Sequence, residues 1–167
     1  LAGLIKHEES YFEVVNLINE DDFRAGGSEV NKTIYKILKQ SIEAGDSVDD
    51  VLISQRVKEL NISFDENINI FDYIKSLSMR QISKDSVIQV AKDLKKLSIR
   101  NNIVDSALEV VSKMKKLKSS ASFDDIIESA DTDFNGKINN FFCRKTNPEN
   151  IFEDMEEEDE EEEDFGG

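Results

Sequence analysis

A long stretch without glycine or proline, from Ser83 to about Lys118, most constrains the fold of this chain. Apolar side chains recur in it every three or four residues, the spacing of one face of an α-helix. At about 1.5 Å per residue, the stretch predicts a helix of roughly 35 residues and ~50 Å. A helix this long usually projects from a compact body or pairs with another helix. Its apolar members are Val87, Val90, Ala91, Leu94, Leu97, Ile103, Val104, Ala107, Leu108, Val111, Met114 and Leu117.

A second amphipathic helix follows the first after a short polar turn. Ser122 and Asp125 stand at the spacing of a capping box, which starts a helix. Apolar residues then recur from Phe123 to Phe142, so residues 83–143 are predicted to form a helical hairpin. Its apolar stripes are wide enough that a second copy of the hairpin is expected to cover part of them. The predicted packing and dimer residues are Val104, Ala107, Leu108, Val111, Met114, Phe134, Ile138 and Phe141.

Residues 1–80 are predicted to form a small head of shorter helices. The first helix ends near His7, and an apolar stripe from Val30 to Ile42 marks a longer one that Gly45 stops. Ser47 or Asp49 is placed to cap the next helix. The chain has one proline and seven glycines, and it shows no sustained alternation of apolar and polar residues. The predicted fold class is therefore all-α.

The charge is concentrated at one end of the chain. The net charge is −15, and eleven acidic residues lie between Glu153 and Asp164, so the remaining residues carry only −4. A body of this charge argues against nonspecific duplex binding, which needs clustered lysine and arginine. The long helix nevertheless carries a basic cluster, which forms a solvated face or meets an acidic partner or a nucleic-acid strand. Its members are Lys92, Lys95, Lys96, Arg100, Lys113, Lys115, Lys116 and Lys118.

Residues 147–167 are predicted to form a short helix and an acidic tail. Asn147 is placed as the cap and Pro148 as the first helical residue. Ile151, Phe152 and Met155 would share one face of that helix. On so acidic a peptide, they are predicted to be anchors for a groove on another surface.

One motif resembles a calcium site. Asp131, Asp133 and Asn135 occupy the oxygen-ligand positions of an EF-hand loop, and Gly136 occupies its glycine position. The loop normally gains two further oxygens from a glutamate at its twelfth position, which is Phe142 here. We therefore favour an amphipathic helix whose acidic residues face solvent, with these three residues as weak metal candidates.

No set of residues predicts a catalytic centre. His7 has no second histidine or cysteine nearby, and Cys143 has no histidine at a motif spacing. We interpret the first as a helix-end residue and the second as a packing residue. The single cysteine suits a reducing compartment, and no apolar run has the roughly 20 residues needed to span a bilayer. No phosphate-binding loop of the P-loop type is present, so we expect neither catalysis nor a bound cofactor in this chain.

The order of several short motifs resembles the N-terminal domain of DnaB-type replicative DNA helicases, particularly the phage versions. Residues 1–7, LAGLIKH, resemble the family's opening "LGGLIKH", and residues 19–23, NEDDF, resemble its "EEDF" turn. Residues 33–37, TIYKI, resemble the "HRIIF" helix, and residues 43–52 resemble "GExvDxvtL". Residues 97–107, LSIRNNIVDSA, resemble the "LRRELIEAA" stretch of the family's hairpin. The resemblance spans roughly residues 1–142.

The resemblance implies a helical head followed by a hairpin that pairs with a second copy. In that family, three such pairs form a collar on a hexameric ring, and the collar receives primase and, in some systems, a loader. The ring encloses DNA. A linker helix docks on the neighbouring subunit's ATPase domain, and residues 147–155 stand where that linker would be. Because both ends look cut, we interpret the chain as a fragment whose ATPase domain, with its ATP and Mg²⁺, is missing.

Three functions follow from these observations. The first is an assembly and primase- or loader-docking domain of a replicative helicase, in the cytoplasm of a bacterial or phage-infected cell. The second is a calcium-responsive binding protein that uses Asp131, Asp133 and Asn135. The third is a helical protein-binding adaptor with an acidic tail and no ordered self-association.

Overall fold

A computed structural model describes residues 1–24, 29–62, 64 and 69–143, with no description of the side chains of residues 140–143. The described residues contain no strand, which confirms the all-α prediction. Two short 3-10 segments, Glu8–Ser10 and Glu20–Arg24, lie among the α-helices. The α-helices are α1 (Ala2–Lys6), α2 (Tyr11–Val14), α3 (Glu29–Ala44), α4 (Asp50–Glu59), α5 (Ile70–Ser78), α6 (Lys84–Lys116) and α7 (Phe123–Cys143).

Chain contacts divide the molecule into two units, residues 1–100 and residues 101–167. The first unit holds the hydrophobic core. Its α3 packs against α4 and the second 3-10 segment, while α5 packs against α1 and α4. The buried core residues are Ala2, Leu4, Tyr11, Val14, Ile18, Phe23, Val30, Ile34, Tyr35, Ile37, Leu38, Ile42, Ile53, Val57, Ile70, Ile74, Leu77, Val87 and Ala91.

Aromatic packing joins the second 3-10 segment to α3. The rings of Phe23 and Tyr35 are stacked with their centroids 4.6 Å apart. The Tyr35 hydroxyl donates a hydrogen bond to the carbonyl oxygen of Ile18 at 3.3 Å. Burial of this ring raises the pKa of Tyr35 to about 12, because the phenolate would be taken out of water. The 3-10 segment is thereby fixed on the core side of α3.

The helix ends follow the chemistry that their residues predict. Gly45 adopts a φ of +74° directly after α3, a left-handed conformation in which glycine avoids a Cβ clash. Asp49 caps α4, since its carboxylate accepts a hydrogen bond from the backbone N–H of Leu52 at 2.7 Å. Asn69 caps α5 by accepting from the N–H groups of Phe71 and Asp72. Of the two caps considered for α4, Asp49 is therefore the one used.

A buried carboxylate ties the second 3-10 segment to α6. Asp22 is 1% exposed, and its Oδ2 accepts a hydrogen bond from the backbone N–H of Asn19 at 2.8 Å. The Lys95 ammonium group lies 3.2 Å from the same oxygen. A buried carboxylate needs such partners, because an unpaired charge costs several kcal/mol in an apolar interior. The first part of α6 is thus fastened to the core of the first unit.

Close packing at Gly3 gives a first stability prediction. A Cβ placed on Gly3 would lie 2.5 Å from Cγ2 of Val87, a buried β-branched residue of α6. We expect Gly3→Ala to lower the free energy of unfolding by about 1–3 kcal/mol through overpacking. Val87→Ala added to it should restore part of that loss, although it is destabilising alone. Urea denaturation of the double-mutant cycle measures this coupling, and additive effects would contradict the contact.

Within the described residues, none of the helices combines the length and the apolar character that crossing a bilayer requires.

Candidate interaction surface on the helical hairpin

The second unit contains the end of α6, a polar turn and α7, and ion pairs fix how these two helices face each other. Lys113 pairs with Asp133, and Glu109 pairs with Lys137. The partner numbers rise on one helix as they fall on the other, so the helices are antiparallel. Ser106 lies buried on the same side of α6, where its hydroxyl donates to the carbonyl oxygen of Asn102 at 2.8 Å. This arrangement is the predicted hairpin.

The turn that joins the helices ends in a reciprocal cap. The Ser122 hydroxyl accepts from the backbone N–H of Asp125 at 3.1 Å, and the Asp125 carboxylate accepts from the N–H of Ser122 at 3.0 Å. Hydrogen bonding to the Asp125 carboxylate from the Ser122 side chain, and then from the Ser122 backbone N–H, lowers the pKa of Asp125, because it stabilises the ionised form. The capping box predicted from the sequence is confirmed, and it sets the start of α7.

The apolar side chains of both helices lie on the same broad face of the hairpin. On α6, Ser106 and Lys113 face α7, and the residues directly after them are Ala107 and Met114. On α7, Asp133 and Lys137 face α6, and the residues directly after them are Phe134 and Ile138. One step along a right-handed helix turns the side chain by about 100°. Because the helices are antiparallel and face each other, those steps lead to the same side. Val104 and Val111 are two residues from Ser106 and Lys113, so they lie about 200° around α6 from the side that faces α7 and continue this apolar surface around α6. We define the hairpin apolar face as Ile103, Val104, Ala107, Val111, Met114, Phe123, Ile127, Ala130, Phe134 and Ile138.

The opposite face of the hairpin is polar. The residues directly before Ser106, Lys113 and Asp133 are Asp105, Ser112 and Thr132. A step of one residue back along the helix turns the side chain away from the hairpin apolar face, toward the opposite side. A shallow groove on this side is lined by Lys113, Asp125, Glu128, Ser129, Thr132 and Asp133. Its lining contains no apolar side chain. The two faces of the hairpin therefore differ strongly in chemistry.

Large side chains of the hairpin apolar face remain exposed. The exposed fraction is 87% for Phe123, 67% for Ile127, 55% for Val104 and 48% for Val111. Apolar groups of this size gain about 25 cal/mol for each Å² that they bury. Contiguous exposed apolar surface on a protein usually marks a site of interaction. This face is the strongest candidate functional site in the described part of the chain.

The predicted interface residues divide into three groups. Val104, Leu108 and Val111 are exposed, with Leu108 at the outer edge of α6. Four others are half-buried at or beside the helix pair: Ala107, Met114, Phe134 and Ile138. The side chain of Phe141 lies outside the described residues. The predicted set omitted Ile103, Phe123, Ile127 and Ala130, although the spacing of Phe123, Ile127 and Ala130 continues the α7 stripe.

The three weak metal candidates do not converge. All lie within the continuous helix α7, where Asp133 faces α6 and pairs with Lys113. Asn135 instead donates from Nδ2 to Oδ1 of Asp131 at 2.6 Å. A calcium loop needs these oxygens turned toward one point, whereas residues two apart on a helix point to different sides. Across the residues that the structure describes, no group of three acidic, histidine or cysteine side chains is placed to hold a metal.

A calcium titration tests this arrangement. Because α7 would have to unwind to bring the oxygens of Asp131, Asp133 and Asn135 together, we expect about 1 mM CaCl₂ to leave the native mass and the far-ultraviolet circular dichroism unchanged. Magnesium chloride at equal ionic strength is the control. A loss of helical signal that only calcium produces would contradict the helical assignment of these residues.

Other residues singled out from the sequence have separate environments. His7 ends α1, and its Nε2 lies 2.8 Å from the carbonyl oxygen of Ile82, to which the ring donates. In the basic cluster, Lys95 pairs with Asp22 and Lys113 with Asp133. The linker anchors Ile151, Phe152 and Met155 lie outside the described residues, as does the acidic tail.

Comparison with known proteins shows no family model and no curated protein sequence that matches this chain.

Proposed function

We propose that this chain is the N-terminal assembly domain of a DnaB-type replicative DNA helicase, and that its hairpin apolar face binds a second copy. The observation that carries the proposal is the exposure of Phe123, Ile127, Val104 and Val111 in the hairpin apolar face. The order of the sequence motifs and the arrangement of a helical head before a hairpin support it. The domain assembles a ring and catalyses no reaction itself.

A second copy fits this face because the two surfaces have the same chemistry. A closed dimer forms through an isologous interface, in which one patch meets its own copy across a twofold axis. In a hexamer, three such pairs would form a collar that receives primase or a loader. ATP and Mg²⁺ would bind to the ATPase domain that this helicase family carries after its linker. The whole assembly would act on DNA in the cytoplasm of a bacterial or phage-infected cell.

The first test is the native mass, measured by light scattering over a series of protein concentrations. We expect dimers, or trimers of dimers, whose population rises with concentration and does not respond to calcium. Primase binding to the assembled species would then be measured. A monomer at every concentration would contradict the proposal and favour the helical adaptor. A change of mass on adding calcium would favour the calcium-responsive protein instead.

The linker residues give a separate prediction in the helicase that includes the ATPase domain. We expect Ile151→Asp combined with Phe152→Asp to leave the head and hairpin folded, because these positions lie beyond α7. Ring assembly should weaken, since charged side chains would not fit an apolar docking groove. Native mass spectrometry of the double variant measures this. A hexamer population equal to that of the unmodified protein would contradict the linker role.

A further inference from the structure

The segment that follows α7 has a composition complementary to the hairpin apolar face. Ile151, Phe152 and Met155 stand at its beginning, and eleven acidic residues lie between Glu153 and Asp164. The segment itself lies outside the described residues. Apolar side chains next to a dense negative charge fit a surface that is apolar with a basic border.

The hairpin apolar face has such a border along α6. Lys115 lies four residues after Val111, which places it on the same side of the helix, and its side chain is exposed. Lys118, also exposed, follows in the turn. The α7 border of the face is acidic, because Asp124 follows Phe123 and Asp131 lies four residues after Ile127. An acidic segment is therefore attracted to the α6 border and repelled by the α7 border.

The segment is long enough to reach Lys115. The ion pairs of the hairpin place Lys115 at the same height along the hairpin axis as Asp131. Cys143, at the end of α7, is therefore about 18 Å from Lys115 along that axis. The chain from Cys143 to Glu153 spans up to ~33 Å when extended. Glu153 and the acids after it can therefore meet Lys115 and Lys118. Ile151 and Phe152 would then lie over the apolar side chains between.

We propose that residues 147–164 fold back over the hairpin apolar face of the same chain. Ile151, Phe152 and Met155 contact its apolar side chains, and the acidic run pairs with Lys115 and Lys118. The inference rests on the proposed function, because it names an intramolecular competitor for the face that a second copy would bind. A tethered segment acts at an effective concentration in the millimolar range, which a free partner must overcome. Release of the segment, whose apolar side chains dock on the neighbouring ATPase domain in the proposed ring, then controls assembly.

The direct test measures proximity in dilute protein below the concentration of self-association. A nitroxide is attached at Glu157→Cys in the Cys143→Ser chain, and methyl signals of Val111 and Ile127 are recorded. We expect strong broadening that falls by about two- to fivefold in Lys115→Glu, the size of an exposed ion-pair effect. The adjacent Lys116→Glu is the matched control, since it changes the same charge on the polar side of α6. Salt at about 0.5 M should also reduce the broadening.

Three results would overturn the proposal. The first is the absence of broadening, and the second is an equal loss of broadening in Lys115→Glu and Lys116→Glu. The third is broadening seen only when nitroxide-labelled chains are mixed with separate isotope-labelled chains. That result would assign the face to the segment of a second copy.

A measurement of self-association separates this inference from the proposed function. Ile151→Ser combined with Phe152→Ser removes apolar side chains that would hold residues 147–164 on the hairpin apolar face, but it leaves that face itself intact. We expect the dimer dissociation constant, measured by sedimentation equilibrium, to fall by about tenfold. An unchanged or higher constant would overturn the regulatory role. If the nitroxide broadens the methyl signals but no dimer forms, the fold-back of residues 147–164 stands and the proposed function is contradicted. If a dimer forms without such broadening, the proposed function stands and the fold-back is contradicted.

Discussion

Replacing Val111 with aspartate is expected to abolish self-association at concentrations where the unmodified chain forms dimers. Val111 is exposed in the single chain, so the change should leave the stability of the head and hairpin almost unaffected. In the proposed dimer, the same carboxylate would be buried against apolar side chains with no partner. That burial costs several kcal/mol, which corresponds to at least about a hundredfold weaker association. Sedimentation equilibrium measures the effect.

Ser112→Asp is the matched control for this change. Ser112 is the next residue of α6, is also exposed, and lies toward the polar face of the hairpin. It should associate like the unmodified chain within about twofold, a difference of less than ~0.5 kcal/mol. Equal weakening by both substitutions would indicate a general charge effect. If neither weakens the dimer, association uses another surface.

The second large effect is expected at Asp22. Asp22→Ala removes the acceptor of the Asn19 N–H and the carboxylate that pairs with Lys95. We expect the free energy of unfolding to fall by about 2–4 kcal/mol, because the partly buried Asn19 N–H and the partly buried Lys95 ammonium group both lose this carboxylate. Urea denaturation followed by circular dichroism measures the change. A loss below ~1 kcal/mol would show that solvent replaces these interactions.

The adjacent Asp21 provides the control. Its side chain is 61% exposed, and it pairs with Lys32 at 2.7 Å. Hydrogen bonding to Lys32 lowers the pKa of Asp21, so its contribution to stability is present above the pKa of the unfolded chain and declines as the pH falls. Solvent screens an exposed pair, so Asp21→Ala should cost less than ~1 kcal/mol even at neutral pH.

The sequence predicted the helices well because the local signals agree. Residues 83–118 predicted a helix that the structure places at Lys84–Lys116, and Gly45 and the Ser122–Asp125 cap mark ends where predicted. Local propensity, apolar spacing and capping chemistry all act within a few residues, so a sequence displays them directly. The buried pair of Asp22 and Lys95 was not predicted, because it joins residues far apart in the chain.

Domain limits and surfaces depend on such distant contacts too. The sequence predicted a head of residues 1–80 and a hairpin of residues 83–143, because the long helix begins between them. Chain contacts instead divide the molecule after Arg100, since the first part of α6 contributes Val87 and Ala91 to the head core. Apolar spacing likewise identified stripes on both hairpin helices. Which members of those stripes stay exposed depends on how the two helices pack against each other, which only the structure shows.

The scarcity of buried side chains in the hairpin has a consequence for hydrogen exchange. Among residues 101–139, the buried side chains are Ser106 and Asp133, whereas the head has a large apolar core. Helices with few buried apolar contacts open locally at low free-energy cost. Backbone amides of the hairpin in a single chain should therefore exchange with deuterium much sooner than those of α3. A partner that covers the hairpin would slow this exchange, so binding and the persistence of these two helices are coupled.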